Sequence, residues 1–494
     1  MYITRLHRTA CTLGLGILLL ASCSKSNSYE QAIPRDAELV TAIHLDQLAQ
    51  KAGLEDKARK AKIQQALEKG LVSPDTKPFL QSLLSEPQKL GIDLRSPIYF
   101  YHSPRAKAAL LMRVSDRGDL EKQLKKLFSS TEFKQTEEQG YTLLSPKSGP
   151  EGQEIVAYDK KTLLVAVPEV GTEIKQLLQE TMKPKKGQSF AETKYFEQLQ
   201  QTKDDIRAYL DLKSLDKSST LPTYATTEVS KIVFGANFES GRLRITVQPV
   251  YKDKVEQQKI ENRMKLIYAQ SITGSLDKYL PKSPNLVIGI NSNMAAAMKK
   301  LGLAATSNAE EVRMTMLLNS LISGEGVLAI SELGSSNNAY AYAESTQPDA
   351  IDSVAKWIGS EGFAAVDSTG AHQYRIQHDG MTFDIGHRNG INYLISSARV
   401  GELLQPQAGR PTPVYAEQIK GKYVYLFFDL EQFIQRSFLT PLIQAMTKPA
   451  VYQRLQQLQY VLMVSDRTQG EVTLQLSTKD NALQFLVDTI LDAL

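Results

Sequence analysis

Apolar and polar residues follow two different periods along this chain. Around residues 242–248 and 472–477 they alternate one by one. This period of two is typical of antiparallel strands that have one polar face. In residues 120–128 and 350–358 apolar side chains recur at i, i+4, i+7 and i+8, which predicts helices that bury one side. Asn389-Gly390 lies between two strand-like stretches and indicates a type I′ hairpin turn.

These patterns occur twice, in the same order. Residues 33–43 match residues 280–290 at an offset of 247, and each copy continues into a helical pattern that closes on Gly-Leu, at residues 53–54 and 302–303. Asp119 pairs with Asp349, and later matches continue at smaller offsets. An ordered series of matches indicates an internal duplication. We expect an α+β fold, a tandem duplication of a mostly antiparallel sheet with helices packed on one face.

The N-terminus has the features of a processing signal. Arg5 and Arg8 precede an apolar stretch of eleven residues, 10–20, which is too short to span a bilayer as a helix. The stretch ends in the order typical of a bacterial lipobox, in which a peptidase cuts before a lipid-modified cysteine: Leu20, Ala21, Ser22, Cys23. A plain secretory peptide or a short buried segment is the alternative.

The predicted signal sets the domain organisation. We expect a signal peptide over 1–22, a tether over 23–30, a first repeat over 31–272 and a second over 278–494. Acyl chains on Cys23, palmitate among them, would make the membrane the chain's first partner. By known sorting rules, a residue other than Asp after the cysteine directs a lipoprotein to the outer membrane, and in some phyla an acidic tract directs it to the cell surface. Ser24 is not Asp and no acidic tract follows. We therefore expect the outer membrane, with its periplasmic face favoured over the cell surface.

Composition and charge narrow the function classes. Apolar residues make up 42% and charged residues 23% of the 494, values that exclude a wholly disordered chain. The formal charge is only +4, without a basic block, so we expect no nucleic-acid partner. The two cysteines are Cys11, inside the signal, and Cys23. No thiol is therefore expected for a disulfide, a cysteine metal site or a nucleophile.

The lipobox at Cys23, the opening motif Ile33-Pro34-Arg35-Asp36-Ala37 and the Gly53-Leu54 helix end together resemble a family. It is an uncharacterised Bacteroidetes lipoprotein family, one of the numbered domains of unknown function. The resemblance covers nearly all of the mature chain and implies an envelope location. It implies no activity and assigns no catalytic residue.

A metal site is the first candidate chemistry. His372, His378 and His387 cluster with Asp384 around the predicted hairpin, and imidazole and carboxylate are common metal ligands. His372 and His378 share strand parity, so their side chains could point the same way. However, the spacings match no established ligand pattern. Surface histidines are the simpler interpretation, and we expect neither a metal nor another cofactor.

Other motifs favour structural roles. No Gly-x-Ser-x-Gly, His-Glu-x-x-His or paired Ser-x-x-Lys motif occurs, although a triad without a motif stays open. Residues 324–326, Gly-Glu-Gly, precede a strand and lack the third glycine of a dinucleotide site. Asp119 and Asp349 are predicted to cap helices, and Trp357 to pack in a core. The basic run over 57–62 is predicted to be a solvated helix face.

Two hypotheses of function follow. The first is a non-catalytic envelope lipoprotein that binds an envelope protein or ligand, or has a structural role. The second is a periplasmic hydrolase acting on envelope or glycan material, with its site in one copy.

Overall fold

The computed structural model describes most of the chain after the predicted signal. The described residues are 28–68, 77–127, 133–138, 140–147, 154–215, 230–268, 270–293, 320–331, 338–406 and 412–493. The predicted lipobox, Cys23 and the Gly302-Leu303 helix end lie outside these residues. The chain divides into two compact units, Met1–Gly235 and Ala236–Leu494. Among the described residues, no helix is both long enough and apolar enough to cross a membrane.

The first unit combines short helices with antiparallel strands. Its strands are β1 (Leu39–Ile43), β2 (Ile98–Ser103), β3 (Ala106–Arg113), β4 (Phe133–Glu138), β5 (Tyr141–Pro146), β6 (Ile155–Tyr158), β7 (Thr162–Pro168) and β8 (Ile206–Asp211); β9 (Lys231–Glu239) crosses the boundary between the units. Its helices are α1 (Leu45–Lys51), α2 (Lys57–Glu68), α3 (Lys77–Ser85), α4 (Arg117–Leu127), α5 (Ile174–Met182), α6 (Lys194–Gln201) and α7 (Leu212–Leu215), with 3₁₀ turns at Tyr29–Ala32, Pro87–Lys89 and Phe190–Glu192.

The strands of the first unit pair in the order β8-β1-β2-β3-β7-β6-β5-β4, antiparallel throughout. Val40 on β1 lies opposite Tyr101 on β2 and Tyr209 on β8. Residues directly opposite each other on neighbouring strands point to the same side of a sheet, and all three of these side chains are buried. Helix α4 packs Leu120 and Leu124 into a core with side chains of β2, β3, β6 and β7.

The second unit repeats this design. Its strands are β10 (Arg242–Pro249), β11 (Leu286–Asn291), β12 (Glu325–Ile330), β13 (Ala339–Glu344), β14 (Ala365–Gly370), β15 (Gln373–His378), β16 (Met381–Arg388), β17 (Ile391–Ser396), β18 (Val424–Asp429), β19 (Leu458–Ser465) and β20 (Gly470–Leu476). Its helices are α8 (Lys254–Ile267), α9 (Asp349–Ser360), α10 (Ala416–Ile419), α11 (Leu430–Arg436), α12 (Thr440–Met446), α13 (Pro449–Leu455) and α14 (Ala482–Ala493), with 3₁₀ turns at Asp277–Tyr279 and Ser397–Glu402.

The strand order shows the duplication directly. The second unit contains the series β18-β11-β12-β13-β17-β16-β15-β14, again antiparallel. Each strand in this series corresponds in position to one in the series of the first unit. Helix α9 packs Ile351 and Ala355 against Ile376 and Ile385 of β15 and β16, as α4 packs in the first unit. The predicted fold class, an α+β duplication with antiparallel sheets and packed helices, is confirmed.

The compact units do not follow the sequence repeats at their junction. Strand β10 and helix α8 come from the first sequence repeat but lie in the second unit, because β10 pairs with β20. These strands hold corresponding positions in the two repeats. Arg244 lies opposite Thr473 and Ile245 opposite Val472. The limits 31–272 and 278–494, which follow the sequence repeats, stay a prediction.

The predicted hairpin at Asn389-Gly390 is confirmed between β16 and β17. Both residues have positive φ, 53° and 77°, as a type I′ turn requires. Arg388 pairs with Ile391 directly across the turn.

Candidate functional site

A cleft of about 1120 Å³ opens in the first unit where the described chain begins. Its walls come from the 3₁₀ turn Tyr29–Ala32, the segment that joins α5 to α6, and α6 itself. Part of its floor is aromatic. The rings of Tyr29 and Tyr99 lie 5.9 Å apart between centroids, and those of Tyr99 and Phe196 lie 6.0 Å apart. The phenol of Tyr29 donates to the carbonyl of Pro97 at 2.5 Å, which fixes the turn Tyr29–Ala32 to the residue before β2.

A polar network around the buried Arg207 supports one wall of the cleft. The side-chain amide of Gln200 donates to the phenol oxygen of Tyr99 at 2.6 Å. Its carbonyl oxygen accepts from the Arg207 guanidinium at 3.1 Å. Arg207 is only 4% exposed and also donates to the backbone carbonyl of Thr202, at 3.1 Å. The arginine therefore connects the end of α6 to β8 beneath the cleft.

His44, at the end of β1, accepts a hydrogen bond from Arg207 through Nε2. A guanidinium can only donate, so this nitrogen carries no proton and the neutral ring has its proton on Nδ1. Burial, and then the charge of Arg207, lower the pKa of His44 below its ordinary value. Burial also lowers the pKa of Arg207. The pair consequently favours a neutral histidine beside a charged arginine.

This pair predicts a pH dependence of stability. The folded-state pKa of His44 lies below its unfolded value of about 6.5, so unfolding takes up a proton in the interval between the two values. The free energy of unfolding of the first unit is expected to fall as the pH drops below about 6.5. Chemical denaturation at a series of pH values measures this effect.

His44→Asn is the matched variant for that experiment, because Asn291 holds the corresponding position in the second repeat. The variant is expected to have a shallower pH dependence below about 6.5 than the parent chain. Parallel curves for the two proteins would contradict the assignment.

Burial likewise raises the pKa of Glu30 on the cleft wall. Below the network, the carboxylate of Asp205 is 1% exposed and pairs with Lys51 at 2.7 Å.

Lysines and carboxylates both occur along the cleft, whose floor carries buried aromatic rings. Such a surface can bind an amphiphilic molecule that has a polar or ionic group.

The histidines considered as metal ligands each contact different residues. His378 lies 3.4 Å from its neighbour Asp379, and Nδ1 of His387 lies 2.8 Å from the amide oxygen of Asn392. Asp384 accepts from Arg375 at 3.0 Å and from the hydroxyl of Ser397. Among the described residues, one group of three side chains could hold a metal ion, and His372 is its only member from the predicted set.

His372 instead meets two carboxylates that the sequence analysis missed. Asp349, Asp352 and His372 offer ligand atoms within 4.8 Å of one another. Nδ1 of His372 lies 2.8 Å from Asp352, which also accepts from the phenol of Tyr374 at 2.9 Å. Asp349 is 89% exposed. These contacts connect α9 to the β14–β15 hairpin. The i, i+3 spacing of the two aspartates on one helix was the available sequence signal.

The predicted helix caps need correction. The amide of Asp119 donates to the side chain of Asp116 at 2.8 Å, so Asp116 caps α4 and Asp119 lies in the first turn. Helix α9 begins after Pro348 with no side-chain cap, and Asp349 lies in its first turn. First-turn carboxylates still oppose the positive end of the helix dipole.

Trp357 is half-buried, and its ring packs against the exposed Phe363 at 5.2 Å. It therefore lies at the margin of the core. The basic run over 57–62 lies on α2. Lys57 and Lys62 are exposed and Arg59 and Lys60 are half-buried, so the run is a partly solvated helix face, as predicted.

Comparison with known proteins gives one family and several distant structures. No curated protein matches the chain. The structures titled "Structure of crystal form IV of TP0453", "form I" and "form III" match at 10%, 11% and 10% identity with TM-scores of 0.29, 0.28 and 0.29. They cover 45%, 50% and 48% of this chain and 80%, 90% and 87% of theirs.

The family model described as Domain of unknown function (DUF4836) matches residues 29–483. This confirms the part of the resemblance that implied a numbered domain of unknown function. The lipobox, the Bacteroidetes origin and the motif over residues 33–37 stay predictions. Because the match covers nearly all of the described residues, the chain belongs to the DUF4836 family.

Proposed function

We propose that this protein is a cell-envelope lipoprotein, attached to the outer membrane through acyl chains on Cys23, with a non-catalytic binding or structural role. The binding role is carried by one observation, the cleft of about 1120 Å³ in the first unit. Its buried aromatic floor and charged lining suit a ligand that is partly apolar and partly polar.

The attachment is supported by the order Leu20, Ala21, Ser22, Cys23 after a short apolar stretch. A single acyl chain binds a membrane marginally, whereas two or more hold a protein there stably. Ser28 lines the cleft, so the proposed anchor at Cys23 is close in the sequence to the proposed binding site.

Replacing Cys23 with alanine tests the attachment. The variant is expected to lose radiolabelled palmitate completely and to move from the membrane pellet to the soluble fraction. Cys11→Ala is the matched control, because it removes the only other cysteine and leaves the proposed acceptor. Palmitate labelling that persists in Cys23→Ala would contradict the proposal.

The non-catalytic role is tested with purified protein that lacks its acyl chains. This protein is assayed for turnover of ester, peptide and glycoside substrates. Turnover abolished by one Ser, His, Asp or Glu substitution would overturn the binding role in favour of a hydrolase.

A further inference from the structure

The chain enters the first unit beside a lysine-rich loop, residues 183–187, which follows α5. Two backbone hydrogen bonds hold the entering segment against the residues that follow the loop. The amide of Arg35 donates to the carbonyl of Gln188 at 2.8 Å, and the amide of Phe190 donates to the carbonyl of Ile33 at 2.9 Å. The start of the described chain and the basic loop are therefore fixed on the same side of the first unit, around one cleft.

The length of the tether limits how far this side can lie from the proposed anchor. Five residue steps separate Cys23 from Ser28, which lines the cleft. A fully extended chain advances at most about 3.6 Å per residue, so Ser28 lies within about 18 Å of Cys23 in any conformation. Acylation, on which this step rests, would place Cys23 at the lipid headgroups.

The lysines near this point form a charged edge. The loop carries lysines at 183, 185 and 186 with no acidic residue between 182 and 188, and Lys161 lines the same cleft as Lys183 and Lys186. Among the described residues, the ammonium groups of Lys161, Lys185 and Lys186 have no carboxylate within 4.0 Å.

Acidic side chains also line the cleft. Glu192 accepts from the backbone amide of Gly187 at 2.5 Å and so stabilises the end of the loop. Glu30 and Glu197 lie on the turn Tyr29–Ala32 and on α6, and Asp159 lines the cleft two residues before Lys161. The run of lysines without an intervening carboxylate is therefore confined to the loop, residues 183–187.

We infer that this lysine edge binds anionic phospholipid headgroups, and that the cleft opens toward the bilayer to which the tether leads. Basic groups are attracted to an anionic membrane surface within about one Debye length, roughly 8–10 Å at physiological salt. The tether keeps Ser28 within about 18 Å of the headgroups, so the lysines of the same cleft can come within range of this attraction and orient the unit. A cleft held this way receives its ligand from the membrane surface.

Site-specific fluorescence on the acylated protein tests this inference. Cys11 leaves with the signal and the thiol of Cys23 is modified, so a single introduced cysteine can be labelled uniquely. Lys185→Cys on the loop and Lys125→Cys on α4, which is exposed and lies outside the cleft, would each carry an environment-sensitive dye. The protein is placed in nanodiscs that contain phosphatidylglycerol and a headgroup spin label, and quenching of the dye is measured.

We expect the label at 185 to be quenched more strongly than the label at 125. Each lysine near an anionic surface strengthens membrane binding about fivefold. Changing Lys161, Lys183 and Lys186 to glutamine is therefore expected to reduce quenching at 185 to the level at 125. An unchanged denaturation midpoint would show that the glutamine variant remains folded.

The possible outcomes separate this inference from the proposed function. Acylated protein, verified by mass spectrometry, with equal quenching at 185 and 125 would overturn the inference and leave the lipoprotein assignment intact. Strong quenching at 185 that survives the three glutamines would also overturn it, because the tether alone would explain the contact. Absence of acylation would refute the proposed function itself.

Discussion

Replacing Glu325 with alanine is expected to lower the free energy of unfolding of the second unit by about 4 kcal/mol, since each hydrogen bond to a buried charged group is worth about 1.5–3 kcal/mol. The side chain is 3% exposed. Its carboxylate accepts from the amide and hydroxyl of Thr273, at 2.9 and 2.7 Å, and from the amide of Gly274, at 2.9 Å. It thus attaches the segment before β11 to the sheet.

Glu344→Ala is the control for that experiment. Glu344 accepts from the hydroxyl of Ser275 at 3.3 Å and from the amide of Glu325 at 3.0 Å, but it is only half-buried. A loss of about 1–2 kcal/mol is expected for this variant. Urea denaturation compares the two proteins, and equal losses would show that the buried carboxylate has no special role.

Elements that depend on a few adjacent residues could be predicted from the sequence. Alternation located β10 and β20, and Asn389-Gly390 located a hairpin, because period and turn chemistry are properties of a few adjacent residues. The faces of the strands were less predictable. Thr246 and Thr473 are buried, although they belong to the polar set of each alternation. Burial on that side depends on elements that pack over the sheet, which the strand sequence does not contain.

The four candidate metal ligands do not lie together in the structure, for a specific reason. The prediction treated His372 and His378 as residues of one strand and therefore of one face. Strand β15 begins only at Gln373, and His372 lies in the preceding turn with a φ of 54°. A residue in the left-handed region breaks the alternation of side chains. The ring of His372 therefore meets Asp352 on α9.

The candidate cleft could not be predicted, because its walls come from segments far apart in the sequence. One part of its support did leave a signal. Arg207 shares strand parity with Tyr209 on β8, and both are buried. A lone cation at an inward strand position requires partners. Those partners, on α6 and at His44, come from other elements and were visible only in the fold.

Gly289→Ala is expected to lower the free energy of unfolding by about 4 kcal/mol, combining overpacking with the loss of a hydrogen bond to a charged group. Gly289 lies directly opposite Tyr425 in the β11–β18 pair. A Cβ at this glycine would lie 1.9 Å from a ring atom of that tyrosine. The ring is buried, and its phenol donates to the carboxylate of Asp277 at 3.1 Å. Any shift that relieves the clash also disturbs this bond.

Gly326→Ala, on the adjacent strand β12, is the matched control. There a Cβ would meet Ile322 and Ala343 at ordinary contact distances, 3.4 and 3.6 Å. Because glycine weakens a strand by about 0.5–1 kcal/mol relative to alanine, this variant is expected to be neutral or stabilised. The same substitution is therefore expected to be strongly destabilising on one strand and not on its neighbour, which urea denaturation can resolve. Adding Tyr425→Leu to Gly289→Ala removes the ring and is expected to recover part of the loss. A double-mutant cycle without coupling would show that the ring does not require the glycine.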